Sequence, residues 1–361
     1  MEQWNNEAIS LYNIRMFYLK YRPHTIEEID NTPAREAITH ILRTQDLPHA
    51  YAFIGTKGTG KTSTARIFAK AVNCLNNAFA GKSDDYNPCN DCSNCIGIDT
   101  SSSTDVLEMD AASNRGIEDV KNLIKEAAFA PMSGRYRVFI IDEAHMITTE
   151  GFNALLKTLE EPPASVMFIL ATTNEEKIPK TILSRCFKIL FGKAGKQDVI
   201  RMLERINKKE KLTVSEDVLK LIADHSDNSF RDAAKLFNEL MIQNKLEENE
   251  ARGYMGVRSK QSLFEILQTK PLKDALIWID EFSRTGGNIK SLMEELLEEL
   301  RGGLLFSYGV IGEEDYKVKL TQKEIILLLK LLQDSYTFLR STPIESIPLE
   351  LAIVEFYNKR T

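Results

Sequence analysis

The feature that most constrains this chain is a glycine-rich loop that matches the pattern G-x-x-x-x-G-K-[ST]. An apolar run before the loop predicts a buried strand, and the apolar spacing from Ser63 to Val72 predicts a helix after it. Without these flanking elements the pattern would describe a glycine-rich turn that matches by accident. Between a strand and a helix, the glycines let successive backbone N–H groups face an anion. The predicted nucleotide-binding residues are Gly55, Thr56, Lys57, Gly58, Thr59, Gly60, Lys61 and Thr62.

Two side chains of this loop and two later carboxylates have predicted chemical roles. Lys61 is expected to reach the terminal phosphates of a nucleoside triphosphate, and the Thr62 hydroxyl is expected to ligate Mg²⁺. The apolar stretch 136–141 predicts a second strand, which ends in Asp142 and Glu143 about 80 residues after the loop. A carboxylate at such a strand end holds the metal through water, and the next one polarises the attacking water. We assign Asp142 to Mg²⁺ and Glu143 to the water.

A third apolar run, Val166–Ala171, predicts another buried strand and is followed by Thr172, Thr173 and Asn174. Polar side chains at the end of a strand beside the carboxylates can hydrogen-bond the γ-phosphate or the attacking water. An ordinary strand-end turn has the same composition, so the residues alone leave both interpretations open.

Residues 142–145 also spell Asp-Glu-Ala-His, the box of a helicase class. Such a helicase needs a second nucleotide-binding lobe of strands and helices and a Gln-x-x-Gly-Arg-x-Gly-Arg type motif. The sequence contains no such motif, and its pattern after about Leu190 predicts helices. We therefore interpret His145 as a residue that orients its neighbours rather than as a catalyst.

Four of the five cysteines are clustered, as Cys74 and the triple Cys89-x-x-Cys92-x-x-Cys95; the fifth is Cys186. Four thiolates close a tetrahedral zinc site, and the loop-forming residues around them would need a metal to hold their shape. An iron–sulfur cluster and free thiols are the alternatives. Because all four ligands would be cysteines, the predicted zinc has a structural role and no open position for a substrate.

The composition limits the class of protein. The chain has 361 residues, 43% of them hydrophobic, 27% charged, and a net charge of -6, which is typical of a globular protein of two or three domains. No apolar run approaches the ~20 residues of a membrane span, and the polar N-terminus does not resemble a secretory signal. We expect a cytoplasmic protein without a membrane partner. A nucleic-acid partner would have to contact a local basic surface.

The second half of the chain is predicted to be helical. Thr213-x-x-Glu216 and Ser229-x-x-Asp232 have the spacing of capping boxes in a small helical segment at about 193–244. Residues 256–361 show apolar spacings of three and four, Thr321-x-x-Glu324 predicts a further helix start, and Gly302-Gly303 is expected to interrupt a helix. The residues by themselves indicate a helical bundle without chemistry of its own.

Several stretches together resemble the gamma/tau subunit family of bacterial DNA polymerase III, the AAA+ ATPases of the sliding-clamp loader. The resemblance is carried by the nucleotide loop, the Asp-Glu-Ala-His box, the cysteine cluster and three further runs. These are Leu-Lys-Thr-Leu-Glu-Glu-Pro-Pro at 156–163, Ala-Thr-Thr-Asn at 171–174 and Ser-Arg-Cys at 184–186. It is dense from about Tyr18 to Asp232 and extends more thinly to Ile347–Ala352.

The resemblance implies a fold class and its division into domains. The fold would be an α/β P-loop NTPase (AAA+) domain with a parallel sheet, then a small helical lid domain and an all-α collar domain. The implied ranges are 1–190 for the ATPase domain with a zinc-binding insertion at 74–95, 191–245 for the lid and 246–361 for the collar. The family's long form has a further tail that binds polymerase and helicase, so we expect a short-form subunit or a trimmed chain.

The resemblance also implies roles for individual residues. Arg185 would be an arginine finger that reaches the ATP of a neighbouring subunit, Thr173 the first sensor and Arg231 the second sensor. From its local pattern alone, Arg231 is a solvated arginine in the first turn of a helix. The zinc ligands would be Cys74, Cys89, Cys92 and Cys95.

The implied function is that of an ATPase motor without a polymerase active site. ATP binding and hydrolysis, with Mg²⁺, would load the sliding clamp onto primer–template DNA in a heteromeric ring with other clamp-loader subunits. Arg115 and Lys121 are candidates for contacts to DNA phosphates, although both have the pattern of solvated charges. The alternatives are a non-hydrolysing clamp-loader scaffold and an AAA+ remodeller of DNA junctions.

The chain departs from the family pattern at three places. The loop between Cys74 and Cys89 is longer than expected, which should change the outline of the zinc module and not its ligands. Asn228 stands where a glycine is expected before the second sensor. Residues 29–32, Ile-Asp-Asn-Thr, replace a Val-Gly-Gln-type turn near the adenine, so no contact to the base is assigned.

Overall fold

The structure is a computed structural model that describes residues 16–44, 46–255, 263, 266–267, 269–284, 287–310, 320–339 and 342–360. It divides the chain into two compact units, of which the first ends at Asn244 and the second begins at Lys245. The polar N-terminal stretch 1–15 lies outside the described residues. Among the helices that are described, none is both long and apolar enough to cross a membrane.

The first unit is built on a parallel sheet in the order β2-β3-β4-β1-β5. Its strands are β1 (Ala50–Gly55), β2 (Val106–Asp110), β3 (Arg137–Asp142), β4 (Val166–Thr172) and β5 (Phe187–Phe191). Every neighbouring pair of strands is parallel, so the carboxyl ends of β1, β3 and β4 meet at one edge. The glycine-rich loop leaves β1 at this edge, and the two predicted catalytic carboxylates leave β3 beside it.

Helices and short 3₁₀ turns connect these strands and continue after them. The helices are α1 (Phe17–Lys20), α2 (Thr32–Thr44), α3 (Lys61–Asn73), α4 (Ser93–Asp99), α5 (Ile117–Ala127), α6 (Thr149–Glu160), α7 (Lys180–Leu183), α8 (Lys196–Lys209), α9 (Glu216–Asp224) and α10 (Phe230–Ile242). The 3₁₀ turns are Ala78–Ala80, Ala144–Met146 and Glu175–Lys177.

The central strands are apolar throughout because both faces of the sheet are covered. Alternate residues of β1 belong to different cores: Tyr51 and Phe53 lie on one face, and Ala50 and Ala52 lie on the other. Strands β3 and β4 divide in the same way between the two cores. The small residues of β1 leave room for Phe139 and Phe168, whose rings stack with centroids 5.3 Å apart.

The second unit is helical in its described part and has a core of its own. Its helices are α11 (Glu248–Tyr254), α12 (Leu272–Arg284), α13 (Ile289–Ser307), α14 (Gln322–Phe338) and α15 (Ile347–Lys359). The P-loop α/β domain with a parallel sheet, followed by helical segments, confirms the predicted fold class.

Two predictions about helix boundaries are wrong. Helix α13 continues through Gly302 and Gly303, and Gly303 is buried there, so the glycines do not interrupt the helix. Helix α9 is capped by Ser215, whose hydroxyl accepts a hydrogen bond from the N–H of Val218, and not by Thr213. A serine directly before the helix satisfies the free N–H more simply than a threonine two residues earlier.

Two other helix starts have the predicted caps. The Ser229 hydroxyl accepts a hydrogen bond from the N–H of Asp232 at 3.2 Å at the start of α10. Thr321 and Glu324 bond each other's backbone N–H groups at the start of α14, which is a complete capping box.

Candidate active site

The glycine-rich loop forms the turn between β1 and α3. Gly58 and Gly60 have φ angles of 78° and 95°, in the left-handed region that glycine adopts without strain. Gly60 is the residue directly before α3, which begins at Lys61. The sequence needs glycines here because the chain turns sharply enough for its N–H groups to line the start of the helix.

Lys61 lies across this loop. Its Nζ donates hydrogen bonds to the carbonyl oxygens of Gly55 at 2.9 Å and Thr56 at 2.8 Å. Burial lowers the pKa of Lys61, and the nearby carboxylates of Glu143 and Asp142 act in the opposite direction. A buried ammonium held by two carbonyl groups is well placed to exchange them for phosphate oxygens.

The predicted magnesium ligands lie side by side. The Thr62 hydroxyl donates to Oδ2 of Asp142 at 2.7 Å, although 80 residues separate the two. The other oxygen, Oδ1, accepts a hydrogen bond from the N–H of Glu143 at 2.9 Å. A hydroxyl and a carboxylate beside a phosphate site are the hard oxygen donors that suit Mg²⁺, so these residues fit the ion.

Glu143 has an unusual backbone conformation. Its φ of 46° places it in the left-handed region, where a side chain other than glycine is strained. The Oε2 oxygen of Glu143 accepts a hydrogen bond from the Thr173 hydroxyl at 3.0 Å and lies 3.3 Å from Nδ1 of His145. Thus the structure brings the predicted base and the predicted first sensor into contact.

A cavity lies above the loop. It is lined by the loop residues Lys57 to Thr62, by the two carboxylates, and by Arg231 at the start of α10. Apolar side chains line another part of it: Pro23, Ile29, Met202 and Ile206. The cavity therefore combines a polar, phosphate-sized end with an apolar part that suits a nucleobase.

Two arginines that the sequence analysis did not assign also line this cavity. Arg66 forms two hydrogen bonds with Glu108, at 2.6 and 2.8 Å. Burial and the positive charges of Arg66 and Arg231 lower the pKa of Arg22. Within the described part of the chain, no residue forms a hydrogen bond or an ion pair with Arg22. Because Arg22 lies far from the loop in sequence and in no recognisable motif, only the fold reveals it.

The first residue of α10 contacts the nucleotide loop directly. The N–H of Phe230 donates to the carbonyl oxygen of Gly58 at 3.1 Å. Asn228, which stands where a glycine is expected, has a φ of 55°. Asparagine is one of the few side chains that adopt this left-handed conformation readily, so the substitution keeps the turn that presents Arg231.

Arg185 does not line the described cavity of its own chain. Its guanidinium donates to Oε1 of Glu160 at 2.5 Å and to the carbonyl oxygen of Thr181 at 2.6 Å. The side chain retains 33% exposure. The predicted DNA contacts are also outside the cavity: Arg115 is exposed, and Lys121 is exposed and paired with Glu118 at 2.8 Å.

The four clustered cysteines converge. All are free cysteines, and their sulfur atoms lie within 4.8 Å of one another. The N–H groups of Asn76 and Cys89 each lie 3.4 Å from Sγ of Cys74, and those of Cys92 and Cys95 lie 3.3 and 3.5 Å from the preceding cysteine's Sγ. N–H donors stabilise thiolates, and four convergent thiolates fit a closed tetrahedral zinc site.

The thiols of this cysteine cluster differ in acidity. Burial raises the pKa of Cys74 and of Cys95. Burial has the same tendency at Cys89, but hydrogen bonds from the N–H groups of Asp91 and Cys92 outweigh it and lower the pKa of Cys89 to about 6. Of these three thiols, Cys89 is therefore the most acidic.

Buried polar side chains tie the cysteine cluster to the nucleotide-binding elements. Asn94 donates to the carbonyl oxygen of Asn73, the last residue of α3, at 2.9 Å. The Asn73 side chain accepts from the N–H of Tyr136, directly before β3, at 2.8 Å. Lys70 of α3 is buried and donates to Asn90 at 2.8 Å. The cluster thus braces α3 against the start of the strand that carries the predicted catalytic carboxylates.

Comparison with known proteins identifies the family to which this chain belongs. The family model described as DNA polymerase III, delta subunit, matches residues 31–194. The chain is 36% identical to DNA polymerase III subunit gamma of Buchnera aphidicola subsp. Baizongia pistaciae over 294 residues, which are 80% of this chain and 78% of that protein. The chain belongs to the DNA polymerase III gamma/tau family. The resemblance inferred from the motifs is confirmed.

Two gamma/tau relatives are considerably longer than this chain. The chain is 38% identical to DNA polymerase III subunit tau of Bacillus subtilis over 85% of its own length and 55% of that protein. It is 34% identical to DNA polymerase III subunit gamma/tau of Mycoplasma genitalium over 90% of its own length and 54% of that protein. The chain therefore spans about half the length of these two relatives.

Among solved structures, the Holliday junction branch migration motor RuvB of Thermotoga maritima resembles this gamma/tau chain more distantly. The match covers 75% of this chain and 86% of that one, with 13% identity and a TM-score of 0.47. This similarity is too low to bear on function.

Proposed function

We propose that this chain is the ATPase motor subunit of a bacterial DNA polymerase III clamp loader, which uses ATP to place the sliding clamp on primer–template DNA. The observation that carries the proposal is the meeting of Thr62 with Asp142 and of Glu143 with Thr173 beside a glycine-rich loop. These side chains come from three elements, and a site that only bound nucleotide would need no base beside the terminal phosphate.

The proposed reaction is attack of water on the γ-phosphorus of ATP. Glu143 takes a proton from the water as the new P–O bond forms, and the bond to the bridging oxygen breaks so that ADP leaves with its electron pair. Lys61 and the loop N–H groups hold the phosphates, and Thr62 and Asp142 would hold Mg²⁺, which would neutralise charge on the phosphate oxygens. Thr173 and Arg231 contact the nucleotide as sensors of its state.

Arg185 would complete the site of a neighbouring subunit. Arg185 is not among the residues that line the cavity of its own chain, and its side chain is partly exposed; both observations support a role in trans. A guanidinium brought against the transferring phosphoryl group accelerates hydrolysis by about 10³–10⁵ in comparable enzymes. An isolated chain should therefore hydrolyse ATP slowly.

The proposed zinc has a structural role. Cys74, Cys89, Cys92 and Cys95 would hold it, and a closed four-thiolate site supplies folding energy to the loop between them. Through Asn94 that loop supports α3, so the metal would stabilise the nucleotide site without taking part in the reaction.

Family membership supports the wider proposals for domains and partners. We propose an ATPase domain at 1–190 with the zinc insertion at 74–95, a lid at 191–245 and a collar at 246–361 that joins subunits into a ring. The proposed partners are other subunits of DNA polymerase III, the sliding clamp and DNA held through its phosphates, with Arg115 and Lys121 as candidate contacts. A cytoplasmic location remains a prediction.

The direct test is ATP hydrolysis by the chain assembled with its partner subunits, with and without clamp and primed DNA. We expect hydrolysis to rise when both are added, and we expect Glu143→Gln to bind ATP but lose the stimulated rate. ATP binding without stimulated hydrolysis in the unmodified complex would instead indicate a non-hydrolysing scaffold.

A further inference from the structure

His145 contacts both Thr172 and Glu143. It lies in the 3₁₀ turn Ala144–Met146 that follows Glu143, and its side chain is only 11% exposed. Its Nδ1 atom lies 3.2 Å from the Thr172 hydroxyl oxygen and 3.3 Å from Oε2 of Glu143. Nδ1 of His145 thus lies between Thr172, the last residue of β4, and Glu143, the proposed base.

The hydrogen bonds of Thr172 determine which atom carries the proton. The Thr172 hydroxyl donates its single hydrogen to the carbonyl oxygen of Asn174 at 3.1 Å and accepts from the N–H of Asn174 at 3.0 Å. A hydroxyl has one hydrogen and two lone pairs, so Thr172 has only an acceptor position left for His145. The assignment that satisfies all three contacts of Thr172 therefore places a hydrogen on Nδ1 of His145.

The same hydrogen faces the carboxylate of Glu143. An unprotonated Nδ1 would instead place its lone pair 3.3 Å from a negatively charged oxygen. The Nδ1–H group shared between Thr172 and Glu143 removes this repulsion and satisfies both oxygens. In a neutral ring, the bond made at one nitrogen sets the tautomer in this way.

Thr173 provides the second hydrogen bond to Glu143, but it cannot always do so. Its hydroxyl also has one hydrogen, which it gives to Oε2 of Glu143 at 3.0 Å. If Thr173 acts as the sensor of the γ-phosphate, the same hydrogen must turn to a phosphate oxygen. Glu143 then loses one of its two donors when ATP is bound.

We propose that His145 is the positioning residue that keeps Glu143 oriented while Thr173 contacts the nucleotide. The inference rests on the proposed function, since it concerns the base of ATP hydrolysis. Oε2 of Glu143 stays against the Nδ1–H group of His145, and the other oxygen is left to receive the proton of the attacking water. Thr172 holds the ring by accepting from the same N–H group.

The kinetic test compares His145→Ala with His145→Asn in the assembled complex. Alanine removes the donor, so kcat for ATP should fall about 10- to 100-fold, as expected when a reacting group is misplaced by about 1 Å, while KM stays within about twofold. Asparagine has an N–H group two bonds from its Cβ, as histidine has at Nδ1, so it should restore most of kcat. Equal losses in both variants, or a loss confined to KM, would overturn the proposal.

A double variant tests whether His145 acts through Glu143. In a Glu143→Gln background, His145→Ala should cause no further loss of kcat, because residues that act as a unit are not additive. A full additional loss in the double variant would show that His145 acts independently of the base, which would contradict the proposal.

A spectroscopic test separates this inference from the proposed function. In the full chain labelled with ¹⁵N-histidine, the ring signals of His145 are identified by their loss in His145→Asn. They should report a protonated Nδ1 and should shift in Glu143→Ala. A His145 ring protonated at Nε2 and not at Nδ1 would refute the proposed hydrogen bond from Nδ1–H to Glu143. Absence of ATP hydrolysis in the assembled complex would refute the proposed function and would leave this result unaffected.

Discussion

At Gly58 the nucleotide loop contacts the start of α10, which carries Arg231. The single methyl group added by Gly58→Ala should separate the loop from this helix. The φ of Gly58 is +78°, and a Cβ atom added there would lie 1.9 Å from Oγ and 2.9 Å from Cβ of Ser229. Rotation of the serine cannot relieve the second contact, so Gly58→Ala forces the start of α10 away from the loop. Gly81, with a φ of +67° and nothing within 4 Å of an added Cβ, is a matched control.

The free-energy cost of Gly58→Ala follows from the backbone strain and from the hydrogen bonds that the substitution breaks. Placing alanine in a left-handed conformation costs about 1 kcal/mol at either glycine. At Gly58, the shift also breaks the 3.1 Å hydrogen bond that the N–H of Phe230 donates to Gly58. The displaced Ser229 hydroxyl also loses the 3.2 Å hydrogen bond that it accepts from the N–H of Asp232, and each bond is worth about 1 kcal/mol. The additional cost of about 2 kcal/mol corresponds to roughly thirtyfold in an equilibrium constant.

The assay is ATP affinity by calorimetry, together with urea unfolding of the same proteins. We expect Gly58→Ala to bind ATP roughly thirtyfold more weakly, while Gly81→Ala loses about 1 kcal/mol of stability and keeps its ATP affinity. Adding Ser229→Gly to Gly58→Ala removes the two closest contacts, so that the Cα of residue 229 lies at an ordinary 3.5 Å. This change should restore most of the affinity, because glycine is a tolerated cap. Unchanged affinity in Gly58→Ala, or no rescue by Ser229→Gly, would refute the reasoning.

Three further predictions concern other parts of the first unit. Purified chain should contain one zinc by elemental analysis, and Cys95→Ser should lower both the zinc content and the melting temperature, since Cys95 is fully buried; a zinc-free chain of unchanged stability would contradict the site. Burial raises the pKa of Asp30 to about 6 despite its ion pair with Arg205. The folded protein therefore binds this proton more tightly than the unfolded chain, so the contribution of Asp30 to stability is greatest below pH 4 and falls by about 3 kcal/mol up to about pH 6. Urea unfolding should show that Asp30→Asn lacks this part of the pH dependence, and identical pH profiles would exclude it. Glu160→Gln should leave ATP binding unchanged and lower hydrolysis by the assembled complex up to about fivefold, since a half-exposed ion pair contributes at most about 1 kcal/mol to holding Arg185; a change in ATP affinity would argue against this role.

The features that the sequence predicts well are those that a short stretch of backbone encodes. The glycines of the nucleotide loop and the apolar strand before Asp142 each indicate a local backbone conformation. The triple of cysteines indicates a set of metal ligands. The parallel sheet then follows, because strands that are apolar throughout must be covered on both faces. Asn228 belongs to the same class, since its left-handed backbone explains why asparagine replaces glycine.

The features that the sequence does not predict are contacts between distant segments. Arg22 enters the cavity from a segment before the sheet, and Phe230 donates to the nucleotide loop from a helix start more than a hundred residues later in the chain. Packing determines such contacts, and no local spacing encodes them. The misplaced cap at Thr213 has a different cause: Ser215 competes for the same helix start and lies directly before it.

The central claim is that the ATP site of one chain is completed by Arg185 of another. The most direct test mixes two variants in the assembled complex: Lys61→Ala, which lacks its own nucleotide site, and Arg185→Ala, which lacks the finger. Each variant alone should be nearly inactive, and the mixture should recover ATP hydrolysis, because an intact site of one chain can then meet an intact finger of the other. Full activity of Arg185→Ala by itself, or a mixture as inactive as its components, would contradict the account.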